Sequence, residues 1–218
     1  MAAPRSGLIR GDDAKSRCYW GAADPLYRAY HDTEWGVPVG DDTRLFEKIC
    51  LEGFQAGLSW LTILRKRENF RRAFLGFDIQ RVARMNRRSV ERLLGDAGIV
   101  RHRGKIESTI HNARRTLEVI DERGSFAAYL WQFEPPARDR PQRFTRATLA
   151  RLTETPASRA LSADLRARGF SFVGPTTMYA LMQAMGLVND HLDGCVARPL
   201  ALAARRKFRP ARRKFRPG

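Results

Sequence analysis

The residues that most constrain this chain lie at its two ends. Cys18 and His31 stand near the start, His191 and Cys195 near the end. Each pair offers one thiolate and one imidazole. Together they make a Cys₂His₂ set of the type that suits tetrahedral zinc, and a metal held this way would tie the first turn of a domain to its last. His191 and Cys195 are spaced i, i+4, on one helix face or turn. The twelve residues between Cys18 and His31 are too many to be diagnostic. Read alone, the four residues leave two alternatives: a metal centre, or a buried thiol beside two hydrogen-bonded histidines.

Between these ends the apolar pattern is helical. Leu45, Phe46, Ile49 and Cys50 share one face behind a cap at Asp41 or Asp42, and Gly53 and Gly57 interrupt that helix. Ser59, Asp78, Asn86, Ser125 and Ser158 each precede a further helical pattern, and Gly124 stops a long helix over 105–122. A last helix is expected over 176–186. Residues 134–157 carry four prolines and read as loop. No stretch alternates with period two, so the expected fold is all-α, a single helical domain over residues 17–200. Residues 1–16 are polar and read as a flexible leader. Residues 201–218 read as a basic, disordered tail in which ARRKFRP occurs twice, at 204–210 and 211–217.

The chain of 218 residues has a formal net charge of +17, and its body stays basic without the tail. Such a balance points to a polyanionic partner, nucleic acid first; the competing reading is a merely arginine-rich composition. Three cysteines with no two close in sequence argue against a disulfide framework and for a reducing compartment, and Cys50, inside an apolar helix, reads as core. The start of the chain lacks the apolar core of a signal peptide, and no apolar run reaches the roughly 18 residues needed to cross a bilayer. The expectation is therefore a cytoplasmic protein without membrane association, a monomer with no obligatory protein partner.

Three local features bear on chemistry. Tyr19, Trp20, Tyr27, Tyr30, Trp35 and Trp60 crowd the first sixty residues, either as core or as a stacking cage for a flat ligand. Glu52 interrupts an apolar run, which is costly unless the carboxylate is paired or faces water. Gly95, Gly98, Arg101, Arg103, Gly104 and Lys105 form a glycine turn between two helices, where backbone N–H groups and cations can hold a DNA phosphate, although such a turn can also be a plain connection.

Taken in order, the motifs RCYW (17–20), DPLYRAYHDTEWGVP (24–38), LFEKICLEG (45–53), QAGLSW (55–60), KRENF (66–70), DAGIVRHRGKI (96–106), RGFSFVGPTT (168–177) and GLVNDHLDGC (186–195) resemble the DNA-3-methyladenine glycosylase I family, the Tag-type branch of the helix–hairpin–helix glycosylases. The resemblance implies that Cys18, His31, His191 and Cys195 bind a structural zinc. It implies that Glu52 and Tyr30 hydrogen-bond an extruded base, that Trp60 stacks on it, and that Trp20, Tyr27 and Trp35 complete the pocket. The 95–105 hairpin then falls on the DNA-binding element. The family lacks the aspartate that its superfamily relatives use after the hairpin; Glu118, Asp121 and Glu122 follow here, in a setting that reads as a solvated helix end.

The activity so implied is monofunctional excision of 3-methyladenine from alkylated double-stranded DNA. The alternatives are a non-catalytic, zinc-stapled binder of alkylated nucleic acid, and a zinc hydrolase, which needs an open metal position that four protein ligands do not leave.

Overall fold

The computed structural model describes residues 6–209. The chain begins as a β-hairpin rather than a loose leader: β1 (Leu8–Arg10) pairs antiparallel with β2 (Ser16–Cys18), with Leu8 opposite Cys18. Tyr19 N–H donates to Gly7 O (2.9 Å) and Val196 N–H to Ser16 O (2.9 Å), so the hairpin is anchored to the far end of the chain. Those long-range bonds are why a short polar segment is ordered here. Residues 1–5 lie outside the described residues.

Eleven α-helices follow among the described residues. α1 (Pro25–Thr33) starts at the Asp24 carboxylate, which accepts from the N–H groups of Leu26 and Tyr27, with Pro25 at the first helical position. α2 (Asp42–Gln55) starts at Asp41 and buries ten consecutive residues, Leu45 to Phe54. It runs through Gly53 instead of breaking there, because the bare glycine face lets Phe172 pack close. α3 (Trp60–Ala73), α4 (Ile79–Ala83) and α5 (Arg87–Leu94) are capped by Ser59, Asp78 and Asn86. α6 (Arg103–Arg123) ends at Gly124, and α7 (Phe126–Leu130) runs on into a 3₁₀ turn over Trp131–Phe133. A short α8 (Arg146–Ala150) interrupts the proline-rich loop. α9 (Pro156–Ala167) starts at Thr155, earlier than Ser158, because Pro156 suits the first helical position and Thr155 and Ser158 make a reciprocal capping box. α10 (Pro175–Ala184) and α11 (Ala197–Lys207) complete the set.

α2 is the centre of the bundle, touching α3, α6, α7 and α10, while α4 and α5 pack on α6 and α9 packs on α10. One continuous core runs from Tyr30 to Val188; a smaller cluster joins Cys18, Leu192, Cys195 and Ala197 across the chain ends. No helix among the described residues is long and apolar enough to cross a membrane.

The disordered-tail expectation fails for its first part. α11 reaches Lys207, Arg205 makes a two-pronged ion pair with Glu134 (2.7 and 2.6 Å), and the Phe208 ring lies 4.6 Å from that of Trp131. Ring burial and a paired cation order this copy of the repeat, which composition alone does not reveal. The last residue of this copy, Pro210, and all of the second copy lie outside the described residues.

Gly186 lets the chain turn from α10 into the segment that carries Asp190, His191 and Cys195. Its φ is +75°, and a Cβ there would stand 2.4 Å from Pro38 N. Gly186→Ala is therefore expected to cost at least ~2 kcal/mol and to lower the melting temperature by about 4–8 °C, as thermal unfolding would measure.

Candidate active site and metal centre

The wall of a cavity of about 420 Å³ is built by α1, α2, the start of α3 and the chain ends. Five of the six early aromatics form an apolar lining. Trp20 meets Tyr27 at 5.0 Å and, edge-on, Trp35 at 4.9 Å; Tyr30 lies 5.4 Å from Trp60 and 6.4 Å from Tyr27. Tyr19 also touches the cavity but is largely exposed. The cage alternative is thus the one the geometry favours, although Tyr30 and Trp60 also belong to the core. The Trp60 indole N–H is buried and has no hydrogen-bond partner among the described residues, leaving a donor at the cavity wall.

Glu52 does not point into water. Its side chain is 4% exposed and its Oε1 lies 2.7 Å from Lys48 Nζ, one turn earlier on α2. The same ammonium donates to Tyr30 Oη (3.0 Å) and stands 3.1 Å from the centre of the Trp60 ring. Burial pulls the Lys48 ammonium down to about 8, against the opposing pull of Glu52. Burial, and then the Glu52 charge, pushes the Tyr30 hydroxyl well above its ordinary value, so it stays protonated. Because Tyr30 Oη accepts from Lys48, its own proton is free to point elsewhere. Lys48 is a site residue that sequence reading missed. The signal was the i, i+4 spacing to Glu52 on the buried face of one helix.

Cys18, His31, His191 and Cys195 come together, fully buried, with their ligand atoms all within 4.8 Å of one another. Their separations test the fit to a metal. His31 Nε2 and His191 Nδ1 are 3.2 Å apart, and three sulfur–nitrogen separations are 3.5, 3.6 and 3.8 Å. Bond lengths of about 2.0–2.1 Å to nitrogen and about 2.3 Å to sulfur give tetrahedral edges of about 3.3–3.8 Å, a close match. The outer nitrogens are already occupied: His31 Nδ1 meets Asp32 Oδ1 at 2.8 Å, and His191 Nε2 meets Trp35 O at 2.9 Å. With the ring protons there, both inner nitrogens present lone pairs, so their closeness is no N–H···N bond. Arg17 Nε holds both Asp32 oxygens (3.0 and 2.9 Å), fixing that orientation. The site can hold a metal ion with no position left open. It forms on a turn, not a helix: residues 191–195 lie between α10 and α11. Gly21 makes room for the His31 ring, 2.6 Å from where its Cβ would stand.

This centre is continuous with the cavity. Trp20 packs edge-on to His31 (4.9 Å) and Trp35 to His191 (4.7 Å), and Cys18 lines the cavity itself. Asp190, next to His191, is buried at the cavity wall, where it takes bonds from Arg140, Tyr179 and Gln183.

The hairpin joins α5 to α6. Asp96 Oδ1 accepts from Gly98 N–H (2.8 Å), while Lys66 and Asn69 on α3 clamp the Ala97 and Gly98 carbonyls. The first turn of α6 presents the N–H groups of Arg103 and Gly104, for which the helix has no internal acceptor. Arg101 is exposed, and Arg103 is half-exposed and paired with Glu91 (2.9 Å). Lys105 is a correction: its buried ammonium donates to Phe54 O (3.0 Å) and Ala56 O (2.6 Å), tying off the end of α2 instead of facing a phosphate. Glu118 and Glu122 sit in ion pairs with Arg115 and Arg168, consistent with a solvated helix end. Leu58 (42% exposed), in the turn between α2 and α3, and Phe172 (39% exposed), whose Cβ packs on Gly53 and whose ring is edge-on to His102, were not singled out by the sequence.

A helical scaffold with this hairpin, an aromatic cavity with room for a planar ligand and a buried acid at its wall defines a helix–hairpin–helix protein. The comparisons narrow that class. The sequence model of the methyladenine glycosylase family matches residues 20–198. The chain is 53% identical over 184 residues to DNA-3-methyladenine glycosylase 1 of Escherichia coli (strain K12), covering 84% of this chain and 97% of that protein. It is 44% identical over 183 residues to DNA-3-methyladenine glycosylase of Haemophilus influenzae, covering 83% and 96%. A crystal structure of 3-methyladenine DNA glycosylase I superposes with a TM-score of 0.77 at 52% identity, covering 84% of this chain and 100% of that one. A variant of 3-methyladenine DNA glycosylase I in complex with 3-methyladenine superposes at 0.78 and 37% identity, covering 84% and 97%. The chain belongs to the methyladenine glycosylase family.

Proposed function

We propose that this chain is a DNA glycosylase that hydrolyses the N-glycosyl bond of 3-methyladenine in alkylated double-stranded DNA, as a cytoplasmic monomer and without a lyase step. The observation that carries the reading is the buried Glu52 carboxylate set beside Tyr30 and Trp60 in an aromatic cavity. 3-Methyladenine in DNA is a cation with a weak glycosidic bond. Extruding it costs a few kcal/mol, less than for an intact, well-paired base. Trp60, Trp20, Tyr27 and Trp35 offer ring faces to the cation, each contributing about 0.5–2 kcal/mol. Glu52 accepts from the exocyclic amino group, and Tyr30 offers its hydroxyl proton to a ring nitrogen. As the C1′–N9 bond breaks, its electron pair passes to the purine, which leaves neutral. Water supplies the new C1′–O bond and gives up a proton to solvent.

Phosphate contacts come from the Arg103 and Gly104 N–H groups and from Arg101, with Gly95 and Gly98 shaping the turn. Exposed Leu58 and Phe172 are suited to fill the gap that the extruded base leaves. Cys18, His31, His191 and Cys195 would hold a zinc ion whose role would be structural: it would fix His31 and His191, against which the Trp20 and Trp35 walls rest.

Purified protein given methylated duplex is expected to release free 3-methyladenine and leave an intact strand with abasic sites. Tight binding with no free base released, even in a single turnover, would establish the non-catalytic binder instead. A truncation after Arg209 removes Arg212, Arg213, Lys214 and Arg216. It is expected to flatten the salt dependence of duplex binding by about 0.9 in log–log slope per lost phosphate contact, without changing the excision rate; an unchanged slope makes the tail a bystander.

A further inference from the structure

Resting on the glycosylase reading above, we propose that Lys48 sets the charge selectivity of the base pocket: its ammonium cancels the Glu52 carboxylate, so a cationic purine is held less tightly before cleavage than a lone carboxylate would hold it, and the conflict is relieved when the base leaves neutral. Three contacts place the charge. Lys48 Nζ lies 2.7 Å from Glu52 Oε1, donates to Tyr30 Oη at 3.0 Å and stands 3.1 Å from the centre of the Trp60 ring. These are the three side chains on which the base reading depends. A cationic ring in contact with them meets the ammonium as closely as the carboxylate, with both partners out of water.

The other carboxylates nearby are paired with cations of their own. Glu34, at the end of α1, is paired with Arg67 of α3 (2.7 Å), and Glu47 of α2 is paired with Arg71 of α3 (2.8 Å). Arg44 of α2 opens on the crevice behind Lys48, and Arg146 of α8 lines the cavity. Asp190 is held by Arg140. Tyr27 and Tyr30 of α1 are both pushed up by burial and stay neutral. The selectivity thus turns on the Lys48–Glu52 pair.

The kinetic consequence follows from where the charge goes. Attraction of a lone carboxylate to the purine cation is strongest before cleavage and fades as the bond breaks, so it deepens the ground state more than the transition state. A neutral pair removes that bias. It leaves one Glu52 oxygen for the amino group and sets the Tyr30 hydroxyl as a donor. The pair therefore exchanges ground-state grip for turnover and narrows the preference for cationic over neutral purines.

The test is single-turnover excision from methylated duplex across protein concentration, which separates half-saturation from limiting rate. Lys48→Met is expected to lower the half-saturating concentration about tenfold or more and to slow the limiting rate in similar proportion, with their ratio moving less than about threefold. Lys48→Arg keeps the charge and is expected to shift half-saturation and limiting rate less than Lys48→Met does, whatever its larger head group costs in fit. Raising the pH through about 8 is expected to reproduce the Lys48→Met pattern in the original protein and not in Lys48→Arg, because a guanidinium stays charged there. Overturning results are a Lys48→Met that binds more weakly, one that changes only the rate, or one that changes neither. If Lys48→Met does not fold, matching pH profiles for the original protein and Lys48→Arg overturn the assignment. An original protein that releases no 3-methyladenine rejects the glycosylase reading itself, whereas normal release with an indifferent Lys48→Met rejects only this inference.

Discussion

Replacing Glu52 with Gln is expected to slow 3-methyladenine release about 100-fold, roughly 2.7 kcal/mol of lost transition-state stabilisation. The side chain keeps its shape, but one of its two acceptor oxygens becomes an NH₂ donor, so it can no longer accept from Lys48 and from the exocyclic amino group of the departing base at once. The loss should be larger than for a surface acid because Glu52 is 4% exposed and the other carboxylate at the cavity wall, Asp190, is taken up by Arg140, Tyr179 and Gln183. Lys48 is then left without its partner, and burial favours its neutral form, so the fold should survive with a modest drop in melting temperature. Single-turnover release measured beside thermal unfolding checks both parts. A Glu52→Gln protein that excises at the original rate removes this residue from the site.

Cys195→Ala is expected to act on the whole domain. Three remaining ligands hold zinc far more weakly, and the bond network linking β2 to residues 191–197 loses its centre. Cys195 is pulled down chiefly by its bond from Cys18 and then by the histidines, while Cys18 is pushed up by the same bond and by burial. Loss of roughly 3–5 kcal/mol corresponds to a fall of about 10–15 °C in melting temperature for a domain of this size. Metal analysis should show one zinc per original chain and well under one in the variant, and prolonged chelation should bring the original protein to the same melting temperature. A variant that melts normally without metal would mean the four residues are a packed polar cluster. One that folds normally but cannot excise base would reopen the catalytic-zinc alternative.

What the sequence made legible was chiefly local. Asp41, Ser59, Asp78, Asn86 and Ser125 each cap the helix they precede, and Gly124 ends α6, because a cap satisfies N–H or C=O groups within a few residues of itself. What it did not show depends on distant partners. β1 pairs with β2, whose Ser16 O accepts from Val196 N–H. α11 is held by Glu134 and Trp131, some seventy residues back. The site divides the same way. The aromatic cluster and the buried acid were visible as residue types out of keeping with their surroundings. The Lys48–Glu52 pair was readable in principle from spacing, but only once both residues were known to face inward. Lys105 was misread because a lysine at a helix start beside arginines looks like a phosphate ligand. Nothing in the sequence says that the end of α2 arrives there with two carbonyls to satisfy.

A crystal soaked with free 3-methyladenine tests the central claim most directly. The account predicts the purine inside the aromatic cavity, its ring at about 3.5 Å from an aromatic face and its amino group about 3 Å from a Glu52 oxygen, with Tyr30 Oη in reach of a ring nitrogen. Purine density on the hairpin or elsewhere on the surface, with the cavity unchanged and Glu52 still bonded to Lys48 alone, would contradict it.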